Sequence, residues 1–387
     1  MKVGFLDGPA RLEHLFQAFA RLDEGHSHDD VHIVQYGDSH TASDLGVSVL
    51  RRALQGRFGD GGRGWVPLGR PWKFFTADGI HADMDRDFAP AKVVFHKNGT
   101  FTGIDGSFGP LGIGIAASKT GADAWSDVAT PLSRVEFAYL LQPHGGAFDV
   151  FIDGARVGKV ETNAAQTASG FTAFDTTDGP HKIEVKTLSD DEVRLFGMAL
   201  DRAQPGVVVD TLGINGAQIF TPLRWNEAHF AEQLRHRSPD LVVLAYGTNE
   251  ALETGLKDAD YERKLVEMLG RIARAVPSAS CLLLGPPDLA RKPKGATDWT
   301  TWPRVLEIAA VQQRVAQAGG CAFYDQIAAM GGPGSITAWA AEQEPRASWD
   351  HVHLKKSGYA QLANALASDI THAYESWRSS RQLTADR

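Results

Sequence analysis

The stretch Val31–His40, VHIVQYGDSH, decides how the rest of the chain is read. Val31, Ile33, Val34 and Tyr36 make an apolar run of strand length, and Gly37, Asp38 and Ser39 end it with turn-forming residues. Glycine tolerates unusual dihedrals and Asp and Ser cap helices, so a turn alone would account for all three. The chemistry that follows the other strands gives this turn a second meaning.

Helical periodicity flanks the strand on both sides, in Leu12, Leu15, Phe16 and Phe19 before it and in Leu45, Val49, Leu50 and Leu54 after it. From Gly206 the same rhythm resumes. Strand candidates GVVVDT (206–211), DLVVLAY (240–246), SCLLLG (280–285) and CAFYD (321–325) are separated by helix candidates near 227–236, 261–276 and 304–318, and a last helix runs from about Lys356 to Trp377. Apolar strands alternating with amphipathic helices are what a parallel sheet covered on both faces requires. The expected fold is therefore α/β, three layers around about five parallel strands. Between about 71 and 204 the rhythm changes to short alternating runs, KVVFH (92–96), RVEFAYLL (134–141), AFDVFIDG (147–154) and HKIEVKT (181–187), set off by DG and GG turns. This reads as an antiparallel β-sandwich, residues 71–204, inserted into a discontinuous α/β domain of residues 1–70 and 205–387.

The 387 residues, 43% hydrophobic and 22% charged, provide material for two cores and exclude a disordered or fibrous chain. A net charge of −8 without a long Lys/Arg cluster argues against nucleic acid or an anionic membrane as partner and favours a neutral or polar substrate. No apolar run approaches the ~20 residues of a membrane span, and MKVGFLDGPARLEH lacks the apolar core of a signal peptide. Cys281 and Cys321, each inside an apolar run, read as two buried thiols.

In open α/β sheets ligands bind beyond the carboxyl ends of the strands, so the residues that follow strands are the candidates. They are Gly37, Asp38, Ser39 and His40; GINGAQ with Gly213 and Gly216; and GTNE with Asn249. Each is an ordinary loop by itself, but together they lie along one edge of one sheet. Near the C-terminus, SWDHVH places Asp350 three residues before His353, a spacing at which the carboxylate can accept from one imidazole nitrogen while the other faces outward. The plain alternative is that Asp350 caps the last helix.

Three other features have simpler readings. His351 and His353, with His26 and His28 of HSHDD, lack a third ligand at zinc spacing, so no metal is expected. The glycine-rich GRFGDGGRGW (56–65) has no Lys-Ser ending and reads as a helix end and turn rather than a phosphate loop. Trp299 and Trp302 of DWTTWPR could stack on a sugar, but read as packing on the core.

Four blocks in order, GDSH with Ser39, GINGAQ with Gly216, GTNE with Asn249 and DHVH with His353, resemble the SGNH (GDSL) hydrolase superfamily. GDSHTASD followed by RRALQGRFGDGGRGWVP, then VRLFGMALDRAQPGVVVDTLGINGAQ and LLLGPPD, resemble the peptidoglycan O-acetylesterases of Gram-negative bacteria, which carry a carbohydrate-binding-like β-sandwich after the first block. The resemblance implies a serine esterase without cofactor that acts on O-acetylated peptidoglycan, in the periplasm or at the outer membrane. It makes Ser39 the nucleophile, His353 the base and then acid, and Asp350 the group that fixes the imidazole tautomer. The oxyanion donors would be the backbone N–H of Ser39 and Gly216 and the Asn249 amide, with the dipole of a helix opened by Ser39 from about Ala42 assisting. Asp38 is expected to serve the loop, and His40 is not expected to be the base. Rival expectations are an O-acyltransferase acting on a glycan, an acetyl esterase of another polysaccharide such as xylan, and a non-catalytic glycan-binding protein.

Overall fold

A computed structural model describes residues 2–26, 29–92 and 106–385. Its first sheet holds the five expected parallel strands, Val31–Gly37, Val207–Gly213, Leu241–Ala245, Ser280–Leu284 and Ala322–Tyr324, which in spatial order run second, first, third, fourth, fifth. Two short strands not expected from the sequence, Lys2–Val3 and Leu6–Asp7, extend the sheet antiparallel beyond Ala322–Tyr324.

The alternation of side chains along the strands explains the three layers. Val31, Ile33, Val207, Val209, Leu241, Val243, Leu282 and Leu284 face a core shared with Leu15, Phe16, Phe19, Leu50, Leu54, Leu366 and Ile370 of the helices on one side. Val34, Tyr36, Leu212, Val242, Leu244 and Leu283 face the opposite core, with Phe230, Leu234, Leu265, Met268, Ile308 and Val311. Both faces of each strand are thus taken out of water, which is why the sequence reads as apolar runs. No helix among the described residues is long and apolar enough to cross a membrane.

The second sheet, of nine strands among the described residues, is built on two long antiparallel strands, Asp123–Leu141 and Ala168–Thr187, which pair along most of their length. RVEFAYLL, AFDVFI and HKIEVKT all lie in its strands; of KVVFH, residues 93–96 fall outside the described residues. The sheet also takes in Gly62–Val66, ahead of the expected boundary at residue 71, through pairing with Val193–Asp201. Val193–Asp201 has two buried faces: Leu195, Met198 and Leu200 join the core of the second sheet, while Phe196 and Ala199 join the core beneath the first. A register shift between Leu195 and Gly197 lets residues 195 and 198 share one face, and Gly197 holds φ +145 where a Cβ would lie 2.6 Å from the Val66 carbonyl oxygen.

Buried charges join the two sheets. The Arg237 guanidinium donates twice to Asp210, at 2.9 Å each, and Asp210 also accepts from the Trp65 N–H at 2.8 Å. The cysteines correct the thiol reading: Cys281 and Cys321 form a disulfide with Cα atoms 4.7 Å apart. The parallel register that sets Leu282 opposite Ala322 brings their preceding residues side by side.

Candidate active site

The first strand delivers its turn to the carboxyl edge because Gly37 has no side chain; a Cβ there would lie 2.1 Å from Thr41 Oγ1 and 2.8 Å from the Ala245 carbonyl oxygen. The Asp38 carboxylate accepts the His40 N–H at 2.9 Å and so caps a helix of four residues, Ser39–Ala42. This differs from the single helix expected from about Ala42. Asp44, at φ 55, breaks it, and the longer helix begins only at Val47. The buried Asp44 accepts from Arg63 at 2.8 Å, Thr211 at 2.9 Å and the Asp78 N–H at 2.8 Å.

Ser39 Oγ lies 2.9 Å from His353 Nε2, and His353 Nδ1 lies 2.8 Å from Asp350 Oδ2. The other Asp350 oxygen accepts the N–H groups of Val352 and His353, both at 2.9 Å, so Asp350 serves its own loop and not the last helix, which starts at Lys356. Burial acts to raise the Asp350 carboxyl, but the hydrogen bonds from the His353 ring and the two N–H groups outweigh it and hold it below its ordinary value. An ionised acceptor at Nδ1 keeps the proton there and leaves Nε2 to accept the Ser39 hydroxyl proton. The loop is fixed from outside as well: the Ala290 N–H donates to the His351 carbonyl at 2.9 Å, and Trp299 stacks on the His351 ring at 4.0 Å.

The three candidate donors are in different states. Gly216 sits at φ +77 in an open, exposed position. Among the described residues, neither its N–H nor that of Ser39 donates to a protein acceptor. Asn249 Nδ2, in contrast, donates to the Ala217 carbonyl at 2.9 Å and has its other hydrogen toward Asp38 Oδ2 at 3.5 Å. The two loops are bolted together by a residue that sequence reasoning passed over, although it ends the quoted GTNE block. Glu250 accepts the N–H of Ile219 at 2.6 Å and of Gly247 at 3.0 Å. Burial pushes the Glu250 carboxyl up to about 8 and that of Asp38 up to about 7.

His40 turns away from Ser39 and pairs its Nδ1 with the Tyr359 hydroxyl at 2.8 Å. Burial, with the neighbouring His353 adding to it, pushes its imidazole down to about 3, so it is neutral. Among the described residues no group of three or more His, Cys, Asp or Glu suits a metal ion; His26 pairs with Glu24 at 3.4 Å, and His28 lies outside the described residues. In the glycine-rich segment, Gly59 ends the Val47–Phe58 helix and Gly62 opens a strand. Trp302 donates to the Ala251 carbonyl at 2.9 Å.

Residues 176–361 match the GDSL-like Lipase/Acylhydrolase family. The match takes in Gly216, Asn249, Asp350 and His353 and begins within the second sheet, beyond the strand-turn that carries Ser39. A search of curated proteins returned no match. Among solved structures, one of a peptidoglycan O-acetylesterase superposes with a TM-score of 0.75 at 26% identity, covering 94% of this chain and 96% of that one. Two family two carbohydrate esterases are far weaker likenesses. One from Clostridium thermocellum, an active site mutant with a bound cello-oligosaccharide, has a TM-score of 0.30 at 11% identity, covering 67% and 93%. One from Cellvibrio japonicus has 0.31 at 13%, covering 76% and 98%. With the sheet order, the strand-end loops and the family match in agreement, the chain carries a GDSL-like lipase/acylhydrolase (SGNH) domain and is a carboxylic ester hydrolase.

Proposed function

We propose that the protein removes O-acetyl groups from a polysaccharide, the O-acetylated muramoyl residues of peptidoglycan, through an acyl-enzyme on Ser39. The observation that carries this reading is the run from Asp350 through His353 to Ser39, at 2.8 and 2.9 Å, beside two backbone N–H groups that donate to no protein acceptor among the described residues. A neutral hydroxyl is a weak nucleophile, so His353 Nε2 takes its proton as Ser39 Oγ bonds to the acetyl carbon. Asp350 holds the ring and stabilises the imidazolium. The negative oxygen of the tetrahedral adduct is received by the N–H groups of Ser39 and Gly216 and by Asn249, whose second Nδ2 hydrogen swings from Asp38. Collapse breaks the bond to the sugar oxygen, which leaves with the proton from His353. Water, deprotonated by the same imidazole, then releases acetate and restores Ser39.

The likeness to a peptidoglycan O-acetylesterase over nearly the whole of both chains supports the glycan and the acetyl group. We assign residues 71–204 as an inserted domain that holds the glycan along the edge where Ser39 lies. An extracytoplasmic location fits the Cys281–Cys321 disulfide, since reducing cytosol keeps thiols apart. Mass spectrometry of the protein quenched during turnover of an acetyl ester tests the scheme: an acetyl adduct on the peptide that contains Ser39 is expected. Its appearance elsewhere would reassign the nucleophile, and net acetylation of an added glycan would make the protein a transferase.

A further inference from the structure

Seven large apolar side chains are exposed among the described residues; five are aliphatic, between 36% and 53% exposed, and the two most exposed are aromatic: Trp349 at 86% and Phe74 at 69%. Singly exposed apolar groups are ordinary. These two are set apart by where they stand. Trp349 directly precedes Asp350, in a loop held by Ser348 N–H donating to the His353 carbonyl at 2.8 Å and His351 N–H donating to the Ser348 carbonyl at 3.1 Å. Phe74 lies in the segment whose Trp72 indole N–H donates to Asn215 Oδ1 at 3.1 Å, next to Gly216, and whose Phe75 packs edge-on against Trp72 at 5.1 Å. One aromatic therefore belongs to the His353 flank of Ser39 and the other to the Gly216 flank.

Both flanks also carry lysines, in a chain of net charge −8. Residues 70–75, RPWKFF, carry Arg70 and Lys73 with no acid, and residues 291–299, RKPKGATDW, carry Arg291, Lys292 and Lys294 against Asp298 alone. Lys292 lies over the Trp299 ring at 5.3 Å, the ring that stacks on His351, and Lys73 lies over Phe74 at 5.8 Å. Neither lysine has a carboxylate partner among the described residues.

Resting on the esterase reading above, we propose that Phe74 and Trp349 are platforms for pyranose rings on either side of the acetylated sugar, with Lys73 and Lys292 beside them pairing with carboxylates on the glycan. The face of an aromatic ring is electron-rich and accepts the polarised C–H face of a pyranose. A platform already held outward by its loop loses little freedom on binding. The lysines distinguish a carboxylate-bearing glycan from a neutral one.

The test compares three acetyl esters: O-acetylated peptidoglycan fragments, an O-acetylated chitooligosaccharide without carboxylates, and 4-nitrophenyl acetate. Trp349→Ala and Phe74→Ala are each expected to lower kcat/KM about tenfold on both glycans, through KM, and to leave the aryl ester within twofold. Lys292→Gln is expected to weaken action on the peptidoglycan fragments alone. Unchanged glycan kinetics in both aromatic variants, or an equal loss on the aryl ester, would overturn the platforms. Wild type that cleaves the aryl ester and neither glycan would sink the polysaccharide reading and the platforms together. Wild type active on glycans with unaffected variants would sink the platforms only.

Discussion

The imidazole rings of His40 and His353 lie 5.3 Å apart, tilted by 31°, at the same edge of the sheet. Two cations that close would oppose each other, and burial resolves the matter by keeping His40 neutral with an imidazole pushed down to about 3. An NMR titration is expected to show His40 uncharged from pH 8 to pH 4; protonation above pH 5 would contradict this. The unfolded imidazole takes a proton below about 6.5 and the folded one does not until about 3, so this residue withdraws stability as pH falls through that window.

Glu250 acts in the opposite direction. Its folded carboxyl keeps the proton up to about 8, whereas the unfolded one loses it near 4.5, so its contribution to stability declines as pH rises between those values. Urea unfolding at pH 5 and pH 8 measures this. Glu250→Gln is expected to be less stable at pH 5, by about 1–3 kcal/mol, because an amide N–H replaces one acceptor of the Ile219 and Gly247 N–H groups, with the deficit narrowing toward pH 8. It is also expected to flatten the decline between the two pH values; an unaltered slope would place the titration elsewhere.

The Cys281–Cys321 link closes a separation of 40 residues between neighbouring strands. Chain entropy gives such a link about 4 kcal/mol of stabilisation. Thiol titration of the unfolded, unreduced protein is expected to find no free cysteine, and the Cys281→Ala/Cys321→Ala pair to unfold at lower urea. Two reactive thiols would remove the link from the account.

Asn249→Ala is expected to lower kcat by about 10²–10³ with little change in KM, the effect of losing one oxyanion donor. If the amide served only to tie the Ala217 carbonyl, stability would fall and kcat at low temperature would stay near wild type.

How much of this was legible follows from what each residue's neighbours had to be. The five parallel strands announced themselves because both faces are buried; Ser39, Gly216 and Asn249 could be singled out because the ends of such strands share one edge, and His353 because Asp350 precedes it by three residues. Lys2–Val3 and Leu6–Asp7 are too short to show a period. The disulfide depends on the register of two strands far apart in sequence, which no local pattern records. Nothing local in the sequence marks Arg51 and Arg63 as buried, yet both lie out of water against Asp44, with Arg63 on the strand Gly62–Val66 that pairs into the second sheet. Glu250 was hidden for the same reason, a carboxyl enclosed by a loop from a different strand.

The proposed chemistry begins with attack of the Ser39 hydroxyl on an acetyl ester of a glycan. Acetate released from O-acetylated peptidoglycan measures it most directly, with wild type and Ser39→Ala compared under one set of conditions. Release by wild type and a loss of at least about 10³-fold in the variant is expected. Equal release by both would contradict the account.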